Sequence, residues 1–245
     1  MVLVEQNDTH TSITLNRPEV RNALSIDLLN ELEQSISAIA QDATIRSLVL
    51  LGADPCFCAG MDLRTARDDA NATREALRAI ARIVVGIRGL KIPVIAQVQG
   101  AAVGGGCGLM TACDFAVSHP EAKLGYPEVD NGICPAVVAP LLIRKIGGGR
   151  ARALLLAGGT ISGQEAFHLG LLTHLVPQED IAETVEKLTA RLAKGGPNAL
   201  AITKHWINEI ENPELAAEVN KGAELSADVV AGPEAQERLA RSRKR

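Results

Sequence analysis

The segment "IPVIAQVQGAAVGGGCGLMTACDFAVS" (92–118) places a cluster of glycines between two apolar stretches. The stretches 92–100 and 114–119 are short and apolar, which is typical of buried strands. The glycines at 104–106 lead into an apolar run that predicts a helix over 105–112. The first N–H groups of a helix lack partners within it, and they are open to a ligand where side chains are missing. The segment therefore predicts a strand–turn–helix unit that receives a negatively charged oxygen.

Strands and helices alternate on both sides of this segment. Polar and apolar residues alternate over 2–16, which predicts a β-hairpin, and Ser25 is a candidate N-cap for the helix that follows. Beyond Ile181 every periodic stretch is helical. We interpret residues 1–190 as an α/β core that carries the site, and residues 191–245 as a helical C-terminal region.

The composition argues against a nucleic-acid partner. Of the 245 residues, 47% are hydrophobic and only 2% are aromatic, so the core is aliphatic and few rings are available to stack on bases. The formal net charge is −4, which provides no basic field for phosphates. The last residues, "RLARSRKR" (238–245), are basic and are interpreted as a solvated tail or a contact to an anionic ligand.

The cysteines and the apolar runs point to a cytoplasmic protein without a metal. There are five cysteines, an odd number in apolar context, which is typical of reduced thiols inside a cell. Cys56 and Cys58 lack the second half of a zinc site. Glu5 and Asp8 interrupt the N-terminal apolar stretch too early for a signal peptide, and no run is long enough to span a bilayer. We therefore expect a soluble protein with no membrane partner.

Three uses of the glycine cluster are open. A phosphate site is disfavoured, because the Lys-Ser/Thr of a P-loop and the spacing of a dinucleotide fingerprint are both missing. Close helix packing is a second explanation. An oxyanion-binding role needs a second N–H donor, and "CFCAGMDL" (56–63) is a candidate because a glycine follows an apolar strand there.

Four stretches resemble the crotonase superfamily of enoyl-CoA hydratases and isomerases. They are "ITLNRPEVRNALS" (13–25), "LLGADPCFCAGMDL" (50–63), the segment 92–118, and the segment 122–177, which includes "LGYPEVDNG". Their order and spacing match the family over most of residues 13–177. The resemblance implies an α/β fold: a crotonase-type spiral of β-β-α units with a C-terminal helical trimerisation region.

The resemblance also implies a binding site for coenzyme A thioesters, with coenzyme A as part of the substrate and no permanently bound cofactor. The oxyanion donors carried over by motif are the backbone amides of Met61 and Gly105. The residues expected to contact the thioester or coenzyme A are Arg21, Ala59, Met61, Asp62, Leu63, Arg64 and Gly105. Arg21 is alternatively an exposed loop arginine.

One of the two glutamates that family hydratases use is missing. The second glutamate corresponds to Glu128, whose carboxylate we expect to move protons. The first position holds Gly108, which puts two-carboxylate hydration in doubt, although one carboxylate suffices for isomerisation. Asp62, Asp130 and Asn131 are possible substitutes, and Cys134 is interpreted as a pocket-wall residue.

The chemistry within the family stays open between an enoyl-CoA hydratase, a Δ3,Δ2-enoyl-CoA isomerase and an acyl-CoA decarboxylase. A binding protein that has lost catalysis is a further alternative, motivated by Gly108. Nucleophilic hydrolysis of the kind found in Clp-type serine peptidases is disfavoured, because the helix start offers Cys107 rather than serine and no triad with His119 can be argued. The resemblance implies a homotrimer or a dimer of trimers.

Overall fold

The structure is a computed structural model that describes residues 1–62 and 69–242. The candidate residues Leu63 and Arg64 lie outside the described residues. The strands are β1 (Val2–Gln6), β2 (Thr11–Leu15), β3 (Leu48–Gly52), β4 (Val94–Gln97), β5 (Ala102–Val103), β6 (Phe115–Ser118), β7 (Lys123–Gly125), β8 (Thr160–Ser162) and β9 (His174–Leu175).

Ten α-helices occur in the described ranges, most of them in the second half of the chain. They are α1 (Ile26–Gln41), α2 (Ala70–Gly89), α3 (Gly105–Ala112), α4 (Ala139–Ile146), α5 (Gly148–Ala157), α6 (Gly163–Leu169), α7 (Ile181–Ala193), α8 (Pro197–Glu211), α9 (Leu215–Ala231) and α10 (Pro233–Ser242). Short 3-10 helices cover Pro18–Val20, Val129–Asn131 and Gln178–Asp180.

The larger sheet has six strands in the order β1-β2-β3-β4-β6-β9. The β1–β2 pair is an antiparallel hairpin, and the remaining neighbours are parallel. Strands β3 and β4 are almost entirely buried, which explains why both read as continuous aliphatic runs rather than as alternating patterns. Helices cross back between the parallel strands, as the predicted crotonase-type spiral requires.

The smaller sheet brings the two halves of the site together. It has the order β5-β7-β8, and Ala102 and Val103 of β5 pair with Leu124 and Gly125 of β7. Helix α3 begins two residues after β5, and Glu128 follows β7 by three residues. The glycine-rich helix start and Glu128 therefore leave the same edge of this sheet.

The helices pack on one another and on the sheet through aliphatic faces. Helix α2 contacts α1 on one side and α9 on the other. The boundary predicted at residue 190 falls inside α7, and the division into a core and a C-terminal region stays a prediction. Within the described ranges, no helix is both long enough and apolar enough to cross a bilayer.

The helix start predicted at Ser25 is confirmed, and a second helix start is capped by its own side chains. The Ser25 hydroxyl accepts a hydrogen bond from Leu28 N at 3.3 Å, so it caps α1. Ser162 and Glu165 form a reciprocal capping box at the start of α6.

A buried ion pair joins α8 to the sheet. The ammonium group of Lys204 donates to Asp114 Oδ2 at 2.7 Å and to the carbonyl of Ile92 at 3.0 Å. Asp114 also accepts from Val94 N, the first residue of β4. Burial lowers the pKa of Lys204, and the charge of Asp114 opposes that effect. The C-terminal helices are therefore anchored beside the strand that leads to the glycine cluster.

Candidate active site

A cavity of about 90 Å³ lies at the start of α3. Backbone from two loops, one carboxylate and several aliphatic side chains form its wall. The residues around it are Ala59, Gly60, Met61, Leu77, Ile80, Val103, Gly104, Gly105, Pro127, Glu128, Asn131, Ile133, Cys134, Pro135, Val137, Val138 and Ser226. The predicted donors and the predicted carboxylate are thus brought to one cavity from separate segments.

The loop 58–62 runs between two neighbouring segments. On one side, Ala59 N donates to Arg21 O, and Asp62 N donates to Leu24 O. Along a regular strand, N–H groups that face the same side are separated by an even number of residues. The N–H groups of Ala59 and Asp62 face the same side but are three residues apart, because Gly60 has a φ of +88° and interrupts the alternation. The N–H of Met61 therefore faces away from Leu24.

The amides of Met61 and Gly105 lie close together. A Cβ placed on Gly60 would be 3.5 Å from Gly105 N, and a Cβ placed on Gly105 would be 3.9 Å from Met61 N. Gly105 is the first residue of α3, so its N–H has no acceptor within the helix. Within the described ranges, neither amide has a hydrogen-bond acceptor. Two donors at one cavity can bind one negatively charged oxygen.

Glu128 supplies the carboxylate of the cavity. Its Oε2 is buried and has no hydrogen-bond partner among the described residues. The pKa of Glu128 is raised to about 7, mainly by burial and in smaller part by the nearby charge of Asp130, while a backbone hydrogen bond opposes the rise. A carboxyl group with a pKa near neutrality exchanges a proton readily at physiological pH.

Gly104 gives the Glu128 carboxylate its place beside the helix start. A Cβ on Gly104 would lie 3.1 Å from Oε1 of Glu128, and the φ of +55° is one that side chains rarely adopt. Gly104 N donates to Gly125 O at 2.8 Å, which fixes the turn against β7. The glycine is required there by its backbone conformation and by the proximity of the carboxylate.

The side chain of Val138 packs directly against Gly108. A Cβ on Gly108 would lie only 2.5 Å from Cγ1 of Val138. Val138 is 3% exposed and immediately precedes α4. The position where a second carboxylate is expected by resemblance is therefore packed against a valine side chain.

The substitutes predicted for the missing acid have different positions. Asn131 lines the cavity, and its amide donates to Pro127 O at 3.2 Å. Asp130 is exposed and accepts from Gly159 N at 2.8 Å, while Asp62 is buried beside Arg17 at 3.8 Å. Neither aspartate is part of the described cavity wall, and their role as substitutes for the missing acid stays a prediction.

The remaining predicted residues divide into two groups. Ala59 lines the cavity, and so does Cys134, as expected of a wall residue. Arg21 is exposed, and its backbone carbonyl holds Ala59 N at 3.0 Å, so it lies next to the cavity without lining its described wall.

Sequence reasoning missed the aliphatic wall and one polar residue. Leu77 and Ile80 come from α2, and Val138 comes from the turn before α4. Ser226 of α9 donates to Cys134 O at 2.7 Å and accepts from Ala136 N at 3.2 Å. The helical spacing of apolar residues in α2 predicts that Leu77 and Ile80 are buried, but it does not predict that they line a cavity.

Two other chemistries find little support at this site. Burial raises the pKa of the Cys107 thiol to about 12, so the helix start offers no thiolate at neutral pH. His119 bonds to Glu121 at 3.1 Å and is not part of the described cavity wall. In the described ranges, no group of three or more His, Cys, Asp or Glu side chains is arranged to hold a metal ion.

Comparison with known proteins agrees with the fold. Residues 5–242 match the protein family described as enoyl-CoA hydratase/isomerase. The crotonyl-CoA hydratase of Syntrophomonas wolfei is 31% identical over 93% of this chain and 87% of its own length. The enoyl-CoA isomerase/hydratase of Mycosarcoma maydis is 34% identical over 83% of this chain and 78% of its own length.

A solved structure of an enoyl-CoA hydratase from Bacillus halodurans superposes with a TM-score of 0.91 at 26% identity, covering 98% of this chain and 99% of that one. The fold is thus the crotonase fold, with strands β1–β9 followed by C-terminal helices. The chain belongs to the enoyl-CoA hydratase/isomerase family. It is an enzyme of a family whose hydratases act on coenzyme A thioesters.

Proposed function

We propose that this enzyme binds an enoyl-CoA thioester, holds its oxygen between the N–H groups of Met61 and Gly105, and moves protons with Glu128. The observation that supports the proposal is the buried Oε2 of Glu128, which has no hydrogen-bond partner among the described residues, at a cavity that Met61 and Gly105 also line. When a proton leaves Cα, negative charge collects on the thioester oxygen. Each preorganised donor at that oxygen lowers the barrier by about 3 kcal/mol.

The reaction that fits one carboxylate is the transfer of a double bond. Glu128 takes a proton from Cα of a 3-enoyl thioester, and the electrons of that C–H bond pass to the oxygen as a dienolate. Glu128 then returns the proton to Cγ, and the double bond ends between Cα and Cβ. The same group acts first as base and then as acid, for which a pKa of about 7 is well suited.

Hydration is the second candidate, favoured by the printed names of hydratase relatives such as that of Syntrophomonas wolfei. It requires that a water molecule be held at Cβ as well as a proton donor. Asn131, in the 3-10 helix that follows Glu128, also lines the cavity and offers a polar side chain that could hold this water. The valine packed on Gly108 disfavours a second carboxylate and therefore favours isomerisation.

Coenzyme A is expected at the mouth beside Ala59 and Arg21. The Arg21 guanidinium is exposed and carries the charge that an adenosine phosphate would need. Asp62, Leu63 and Arg64 stay predictions as coenzyme A contacts. No permanently bound cofactor is required by the proposed proton transfer.

A homotrimer or a dimer of trimers is proposed for the assembly. Helix α8 exposes large apolar side chains at a spacing of four residues, namely Ile202, Trp206 and Ile210, each at least 60% exposed. Such a stripe is costly to leave in water and is typical of a surface that a second copy covers.

The experiment is a pair of assays on purified enzyme, with crotonyl-CoA for hydration and a 3-enoyl-CoA for isomerisation. Turnover of the 3-enoyl ester that is lost in Glu128→Gln supports the proposal. Binding of coenzyme A esters without any turnover would instead identify a non-catalytic homologue. Unchanged turnover in the variant would remove Glu128 from the mechanism.

A further inference from the structure

We infer that this site takes short acyl groups, of about four carbons, and that Val138 packed on Gly108 sets this limit. The inference rests on the proposed function, because it assumes that the thioester oxygen is held at Met61 and Gly105. It concerns the opposite end of the same cavity, where the acyl chain would end.

The volume of the cavity is the first argument. At about 90 Å³, it is smaller than a cavity of about 150 Å³, which holds one six-carbon ring. An acyl group of four carbons has three carbons beyond its carbonyl carbon. A chain of eight or more carbons does not fit unless the wall opens.

The position of Val138 is the second argument. Gly108 lies three residues after Gly105 along α3, which is about 4.5 Å along the helix axis. An acyl chain whose oxygen is held at Gly105 and that extends along α3 meets the side chain of Val138 at that distance. Cγ1 of Val138 occupies the space beside Gly108, since it would be 2.5 Å from an added Cβ.

Val138 is also held firmly. It is 3% exposed, and its carbonyl accepts from Leu142 N at 3.1 Å in the first turn of α4. Because the backbone of Val138 is tied into the helix, the side chain cannot retreat without moving α4. A fixed aliphatic end wall distinguishes chain lengths by the cost of displacing it.

A wide surface groove offers a rival route for longer chains. It measures about 900 Å³, and among the described residues it shares Ile133, Cys134 and Pro135 with the small cavity. Ile133 is 6% exposed and packs with Leu239 and other residues of the C-terminal helices, so this shared ridge is tied down. The groove therefore borders the acyl site along this ridge, and Leu225, which lines the groove but not the small cavity, distinguishes the two routes.

The test is calorimetric binding of saturated thioesters, which needs no turnover. Butyryl-CoA and octanoyl-CoA are titrated into the intact enzyme, with free coenzyme A as the baseline. We expect butyryl-CoA to bind about tenfold more tightly than octanoyl-CoA. The longer acyl chain has to displace the packed side chain of Val138, and overpacking of this kind lowers the binding affinity by at least that factor. Val138→Ala removes most of that preference and leaves the affinity for free coenzyme A unchanged.

Two further variants separate the explanations. Leu225→Ala, in the wide groove, is the matched control and keeps the wild-type preference. Gly108→Ala pushes Val138 into the cavity and lowers the binding affinity for butyryl-CoA relative to that for acetyl-CoA. This result supports the inference even if Val138→Ala fails to fold.

The outcomes distinguish this inference from the proposed function. Equal affinity of the wild-type enzyme for both acyl lengths would overturn the inference and leave the function intact. So would a loss of octanoyl-CoA binding in Leu225→Ala, because the chain would then lie in the groove. Failure of the wild-type enzyme to bind any coenzyme A ester would instead refute the proposed function itself.

Discussion

A Cβ placed on Gly60 would lie 2.7 Å from the carbonyl oxygen of Val103. The φ of Gly60 is +88°, so the space and the backbone conformation both require glycine. Gly60 directly precedes Met61, one of the proposed donors. The chain thus uses a glycine to bring the loop 58–62 against the segment that enters α3.

Replacing Gly60 by alanine is expected to disturb the oxyanion site. The added methyl group moves Met61 N away from Gly105 N, and kcat falls by about 100-fold or more, as when one oxyanion donor is lost. Steady-state kinetics with a 3-enoyl-CoA measure the effect. Gly86→Ala is the matched control: its Cβ would meet Ile36 at an ordinary 3.5 Å, and activity stays at the wild-type level. Equal kcat in the two variants would contradict the role of Met61.

The activity is expected to rise with pH through about 7. The base form of Glu128 starts the reaction, and burial raises the pKa of this group to about 7 in the free enzyme. The pH profile of kcat/KM should therefore increase across this range and level off above it. In Asp130→Asn the midpoint moves to lower pH, because a negative charge that raises the pKa of Glu128 is removed. A profile that is flat between pH 6 and 8 (about one unit either side of neutrality) would contradict this assignment.

The same shift predicts a pH-dependent stability. The pKa of Glu128 is raised from 4.5 to about 7 in the folded protein, so its contribution to stability is fully present below pH 4.5 and is lost as the pH rises through about 7. The loss amounts to about 3 kcal/mol. Glu128→Gln stays neutral and escapes it. Urea unfolding at fixed protein concentration should show that the free energy of unfolding of Glu128→Gln rises relative to that of the wild type as the pH goes from acidic to mildly alkaline.

The assembly is expected to depend on the apolar stripe of α8. Trp206→Glu places a charge in the middle of that stripe, where burial by a second copy would leave it unpaired. Sedimentation should show a shift from trimers to monomers. Val4→Glu is the control, since Val4 is also exposed, at 50%, but lies on β1. Trimers that persist in Trp206→Glu would show that another surface forms the contact.

The buried pair of Lys204 and Asp114 is expected to stabilise the fold. Lys204→Met leaves Asp114 without its nearest cation, at a cost of about 3 kcal/mol in the free energy of unfolding. Lys187→Met removes an exposed pair with Glu183 and should cost less than about 1 kcal/mol. Denaturant unfolding compares the two variants, and equal losses would refute the structural role of Lys204.

The sequence contained enough to predict the parts of the site that depend on backbone. The glycines at 104–106 and the "CAG" before Met61 signal positions where the main chain is exposed, and a local motif suffices to find them. Glu128 was found through its motif, whereas its burial depends on contacts that no local pattern encodes. The glycine positions therefore follow from local sequence, and the burial of Glu128 does not.

The wall of the site could not be predicted in the same way. Val138 is one aliphatic residue among many, and its contact with Gly108 depends on how α4 packs on α3. Asp130 and Asn131 are neighbours with similar polarity, and only the 3-10 turn decides that Asn131 lines the cavity. Side-chain direction in such a turn is a property of the folded backbone.

Proton removal from Cα tests the central claim most directly. But-3-enoyl-CoA is incubated with the enzyme, and proton NMR follows the loss of the Cα methylene signal as the double bond moves to lie between Cα and Cβ. The account predicts rapid loss of this signal with the wild type and with Asp130→Asn, and loss at least about 100-fold slower with Glu128→Gln. Loss of the signal at the wild-type rate with Glu128→Gln would contradict it.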